Sequence, residues 1–177
     1  MKDLMVDLET MGNKANAPIT QIGAVYFDIK TGDTRDPYIV NIDLADSMKH
    51  GAVPSGDTIM WWLSQSDEAR KGLTDGDIQY MKEETALRDF NRFAKGAKTI
   101  WSHATFDFVI LMTSMERRNI KPTFHYRVAR DIRTLTSLLD KEQREEGLRV
   151  GTHHNALDDA MHQIKYCCVA YKKLKGE

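Results

Sequence analysis

Leu4, Val6 and Leu8 alternate with Met5, Asp7 and Glu9 before the pattern breaks at Gly12. A period of two predicts a strand with both acids on one face and the three aliphatic side chains on the other. Gly12 to Pro18 is rich in turn formers. A second alternation runs from Ile19 to Asp28, with Ile22, Ala24 and Tyr26 against Gly23, Val25 and Phe27, and a third strand is predicted over Pro37 to Asp43. Three strands with short connections predict an antiparallel meander.

Beyond the meander the period lengthens. Asp57 is an expected N-cap for a short helix through Leu63, and Ser66 opens a second one to Gly72. Ala86, Leu87, Phe90 and Phe93 recur at helical spacing within Lys82 to Lys95. Lys98 to Ser102 reads as a buried strand and leads into a helix over Phe106 to Arg118, with Phe108, Leu111, Met112 and Met115 as its apolar stripe. An apolar run lies between Arg127 and Leu135, a helix is expected over Thr134 to Leu139, and Lys141 to Gly151 is a charged loop. The last element is a long helix, Asn155 to Leu174, capped by Asn155 and buried along Leu157, Met161, Ile164, Cys168 and Tyr171. A meander followed by alternating strands and helices predicts a mixed sheet flanked by helices.

Composition narrows the setting. At 177 residues the chain has the size of one domain, and it is expected to fold as one over 1–177. No window reaches the 18 or more apolar residues of a membrane span, and no basic segment marks a secretory signal. The two cysteines, Cys167 and Cys168, are adjacent and read as small apolar helix residues in a reducing compartment, so a cytoplasmic protein is expected. A net charge of −1 argues against a broad electrostatic grip on duplex DNA. The charge is uneven, however: residues 1–60 carry five basic and nine acidic side chains, and residues 116–149 carry nine basic and six acidic. An acidic part beside a basic one suits a cation site next to a groove for phosphates, and it equally suits a solvated surface.

Asp7 and Glu9 on one buried strand repel each other and lose hydration, which a divalent cation relieves. Asp107 opens a helix just past a strand end, where α/β sheets bind ligands. It also suits a plain helix-start carboxylate held by free amides. Asp159 lies in the first turn of the last helix, behind His153 and His154. Four carboxylates suit Mg²⁺ or Mn²⁺ rather than zinc. Two such ions about 3.5–4 Å apart clamp a phosphodiester for in-line attack, and a histidine at the edge is a natural base for the attacking water. Of Trp61 and Trp62, which cannot share one helix face, one is expected in the core; the other is open to core packing or to stacking a base in a groove.

As an ordered set, Asp7-Leu8-Glu9-Thr10, Phe106-Asp107 and His154-Asn155-Ala156-Leu157-Asp158-Asp159 resembles the three motifs of the DEDDh 3′→5′ exonucleases. Asp7 to Gly12, Thr58 to Trp62 and His154 to Ala160 further resemble phage and prophage exodeoxyribonuclease VIII-like proteins, a group similar to a mycobacterial exoribonuclease family. The resemblance spans roughly residues 3 to 174. It implies an RNase H-like three-layer α/β/α fold and cleavage of single-stranded DNA or RNA from the 3′ end to nucleoside 5′-monophosphates with two Mg²⁺ or Mn²⁺ ions. It assigns Asp7, Glu9, Asp107 and Asp159 as metal ligands and His154 as the base, with Thr10 and Met11 holding the terminal nucleotide and a possible homodimer. Trp61, Phe106 and His103 are further expected substrate contacts. His103 departs from the family, which commonly has Asn there. Tyr126, Arg127 and Arg130 are weaker candidates for strand contacts. Two other readings share this fold: an oligoribonuclease-like enzyme confined to very short RNA, and a catalytically silent binding module.

Overall fold

The computed structural model describes residues 1–140 and 154–176; the loop expected over Lys141 to Gly151, and His153, lie outside them. Three antiparallel strands open the chain as expected: β1 (Asp3–Thr10), β2 (Ile19–Phe27) and β3 (Thr34–Ile42). Then come α1 (Leu44–Lys49), α2 (Gly56–Leu63), α3 (Asp67–Thr74), the two-residue strand β4 (Tyr80–Met81) and α4 (Glu83–Phe93). The second half holds β5 (Thr99–Ser102), α5 (Asp107–Arg117), a 3-10 turn (Tyr126–Val128), β6 (Ala129–Asp131), α6 (Ile132–Thr136) and the long α7 (Ala156–Lys175).

The strands form one mixed six-stranded sheet in the order β4-β3-β2-β1-β5-β6, with β5 and β6 parallel to β1. β1 is therefore internal. Both faces of the β1–β2 pair are covered, which is why every residue of β2 is buried despite its alternating pattern. Leu4, Val6, Leu8, Ile22 and Ala24 face one core with Leu87 and Phe90 of α4 and Ile110 and Leu111 of α5. Met5, Val25 and Phe27 face the other with Ile132 of α6 and Ala160, Ile164 and Cys167 of α7. The result is the expected three-layer α/β/α sandwich. Asp7 and Glu9 share the parity of Met5 and lie on the α7 side.

Some expectations need correction. Ser55, not Asp57, precedes α2, and Asp57 stands in its first turn. α1 and β4 were not foreseen; one is short and polar, and the other is only two residues long. The buried stripe of α7 is also rotated from the expected one. Ile164 and Cys168 are buried as expected, but Met161 is 37% exposed, and Ala156, Ala160, Gln163, Cys167 and Ala170 complete the buried face. Positions 156, 160, 163, 167 and 170 make one helical face against the sheet, and position 161 lies off it. Both cysteines are buried, as expected, and burial pushes their thiols well above the usual range.

Candidate active site

The site forms where the C-terminal end of β1 meets the starts of α5 and α7. Asp7 and Glu9 are 7% and 9% exposed and follow one another on the same face. Opposite Asp7 in the β1–β2 ladder stands Gly23. A methyl group on Gly23 would overlap the Ala156 carbonyl carbon and the Leu157 amide nitrogen. The absent side chain is what lets the first turn of α7 press onto the sheet. Gln21 completes the joint: its Oε1 accepts from the Ala156 amide at 2.7 Å while its Nε2 donates to Asn41 Oδ1 at 2.7 Å. Asn155 caps the helix, accepting from the Leu157 and Asp158 amides at 3.2 and 3.1 Å. Asp159 is thereby carried to Glu9.

Two groups of donor atoms result, each within 4.8 Å: Asp7, His103 and Asp107 in one, Glu9, His154 and Asp159 in the other. All five residues expected to do the chemistry thus fall together, and His103 joins them. Asp107 is 1% exposed at the start of α5. Amides of His103, Leu8 and Asp107 itself bond its carboxylate, yet burial outweighs them and pushes its pKa up to about 7. A carboxylate so costly to ionise, grouped with a second acid, fits a divalent cation as the missing counter-charge. The donor set is dominated by oxygen, which suits a hard ion. Asp7 receives a hydrogen bond from Gln163 Nε2 at 2.6 Å, and both side chains are buried.

His154 adopts φ 64°, a left-handed conformation outside glycine's usual role but one in which histidine is enriched. Its ring meets Trp61 edge-on at 4.7 Å and Trp62 at 5.7 Å between centroids. The tryptophans divide as the sequence left open. Trp62 is buried and donates from Nε1 to the Thr10 carbonyl at 3.0 Å, whereas Trp61 is 43% exposed. Glu9, Thr10, Asp57, Trp61, Trp62 and Phe106 are among the residues lining a cavity of about 450 Å³ beside the acids.

Met11 does not line that cavity. Its side chain packs under Trp62 with Ala69, its amide donates to the Pro18 carbonyl at 2.9 Å, and its carbonyl accepts from Ser55 at 2.8 Å. It shapes the rim from behind. Tyr126 is exposed with Arg127 over its ring, and Arg130 bonds the Arg127 and Ala129 carbonyls at 2.8 Å; none of the three lines the cavity. Among the described residues, the positive charge of Arg133 lowers the pKa of both His103 and Asp107. Sequence reasoning missed Arg133 together with Gln21, Gly23 and Gln163. A buried polar residue one turn beyond Asp159 was the available signal for Gln163.

The residues brought together are those that the resemblance to the DEDDh exonucleases singles out. The chain belongs to the Rv2179c-like 3′-5′ exoribonuclease domain family, whose model matches residues 2–171. It is 31% identical over 84 residues to an exodeoxyribonuclease of Enterobacteria phage T4, covering 44% of this chain and 37% of that protein. Its fold is similar to Escherichia coli exonuclease I in complex with a dT13 oligonucleotide (TM-score 0.68, 14% identity, 98% of this chain and 42% of that one). The zinc-bound form of the E. coli exonuclease I–single-stranded DNA complex gives TM-score 0.73 at 14% identity, covering 99% of this chain and 41% of that one. Exonuclease I from Methylocaldum szegediense gives 0.68 at 15%, with coverages of 98% and 41%. The chain spans about two fifths of the length of these proteins. Among the described residues, no helix is long and apolar enough to cross a membrane.

Proposed function

We propose that the chain is a single catalytic domain that removes nucleotides one at a time from the 3′ end of single-stranded DNA or RNA, releasing nucleoside 5′-monophosphates. The observation that carries this reading is the convergence of four carboxylates and His154 beside a cavity walled by an exposed tryptophan. Asp7, Glu9, Asp107 and Asp159 would hold two divalent ions, Mg²⁺ or Mn²⁺. When bound, such ions acidify water and neutralise charge on the attacked phosphate.

The chain's own groups do the rest. His154 accepts the proton of the attacking water, its ring held against Trp61 and Trp62. Trp61 offers a face on which the terminal base stacks whatever its identity. Phe106 adds a second aromatic ring to the lining of the cavity. The positive charge of Arg133, which favours the ionised form of Asp107, would also favour an incoming phosphate. The 3′-hydroxyl of the penultimate nucleotide is the leaving group, so each cycle presents a new 3′ end.

Sequence-matched single-stranded DNA and RNA, each labelled at the 3′ end, test this with Mg²⁺ and then Mn²⁺. The expected first product is a labelled nucleoside 5′-monophosphate. Labelled oligonucleotides longer than one residue as first products would overturn the reading. Activity confined to di- to tetranucleotides would replace it with the oligoribonuclease-like one.

A further inference from the structure

We propose that His103 is a nitrogen ligand to the ion held between Asp7 and Asp107, and that this makes the site favour a first-row transition ion such as Mn²⁺ over Mg²⁺. The proposal rests on the reading of the site as a metal centre and adds a ligand to it.

The backbone fixes His103 on the acids. Its carbonyl accepts from the Phe106 and Asp107 amides at 2.8 and 2.9 Å, and its own amide donates to Asp107 Oδ2 at 2.8 Å. Its side chain turns to the same carboxylate, with Nδ1 3.6 Å from Asp107 Oδ2. That separation is too long for a hydrogen bond. Two donors held side by side without a hydrogen bond between them are placed to share a cation. One Asp7 oxygen completes a group of three donors within 4.8 Å.

Imidazole nitrogen suits first-row transition ions, whereas Mg²⁺ takes oxygen ligands and keeps its waters. His103 therefore converts one half of an all-oxygen site into a mixed one. The family's more common Asn at this position offers only an amide oxygen.

Mn²⁺ and Mg²⁺ are titrated calorimetrically into the ion-free protein and into His103→Asn. The expected result is Mn²⁺ affinity about 10- to 100-fold weaker in the variant, with Mg²⁺ affinity little changed. Nitrogen modulation in the electron spin echo of bound Mn²⁺ gives a second measurement on the unaltered chain. It should weaken in His103→Asn and persist in His154→Asn, which separates the two histidines. An unchanged Mn²⁺-to-Mg²⁺ preference with unchanged nitrogen modulation in His103→Asn overturns the ligand and leaves the metal centre standing. An unaltered chain that binds neither ion overturns both.

Discussion

Gln163 donates a hydrogen bond of 2.6 Å to Asp7, reaching from α7 to β1 across a fully packed boundary. The bond ties the Asp7 carboxylate to α7. Gln163→Leu removes the donor from a buried carboxylate, which costs about 1–3 kcal/mol of stability. Outer-shell partners of a metal ligand are typically worth 10- to 100-fold in affinity. Urea unfolding and Mn²⁺ titration of the variant check the two effects separately, and both should fall.

Gly23→Ala should be more damaging than its single methyl suggests. The added carbon meets backbone rather than a yielding side chain, so the first turn of α7 must move. Overpacking of this kind costs about 1–3 kcal/mol. The movement also carries Asp159 and His154 away from Glu9. Hydrolysis by the folded fraction should therefore drop with the melting temperature, whereas Gly56→Ala, which meets nothing, serves as the control.

The raised pKa of Asp107 gives the ion-free protein a definite pH dependence. Burial keeps a proton on Asp107 up to about pH 7 in the folded state, while the unfolded chain loses it in the ordinary carboxylate range near 3.8. The unfolded state therefore binds fewer protons between those limits, and stability falls as pH rises through this window. In chelator, the melting temperature should decline between about pH 4 and pH 7, and Asp107→Asn should flatten that part of the curve. A divalent ion competes with the same proton, so its apparent affinity should rise over the same interval.

Trp61→Ala should raise KM more than it lowers kcat, because stacking acts on the bound base. The expected cost is about 1–3 kcal/mol of binding. His154→Ala has the opposite signature, with a loss of about 10²–10⁴-fold in kcat. Steady-state kinetics on one oligonucleotide distinguish the two.

The acid pair was legible because a strand's period of two leaves Asp7 and Glu9 no choice of face. The caps Ser66 and Asn155 were legible for a similar reason: their amide-binding chemistry is local. What escaped was non-local. Gly23 matters only through Ala156, more than 130 residues away, and Gln163 only through Asp7. Ile164 and Cys168 of the expected α7 stripe are buried, but large apolar side chains alone do not mark the rest of that face, where Ala156, Ala160 and Ala170 are buried and Met161 is not. Arg133 was passed over for Arg127 and Arg130, since charge along a sequence does not say which guanidinium faces the acids.

The central claim is that Asp7 and its three partner acids hold the ions on which hydrolysis depends. It is tested most directly by following release of nucleoside 5′-monophosphate from a single-stranded oligonucleotide by the unaltered chain and by Asp7→Ala, in Mg²⁺ and in Mn²⁺. The unaltered chain should be active with at least one ion and silent in chelator. Asp7→Ala should fold, since it loses a charge repelled by Glu9, yet release no product with either ion. Equal rates for the two proteins would contradict the account.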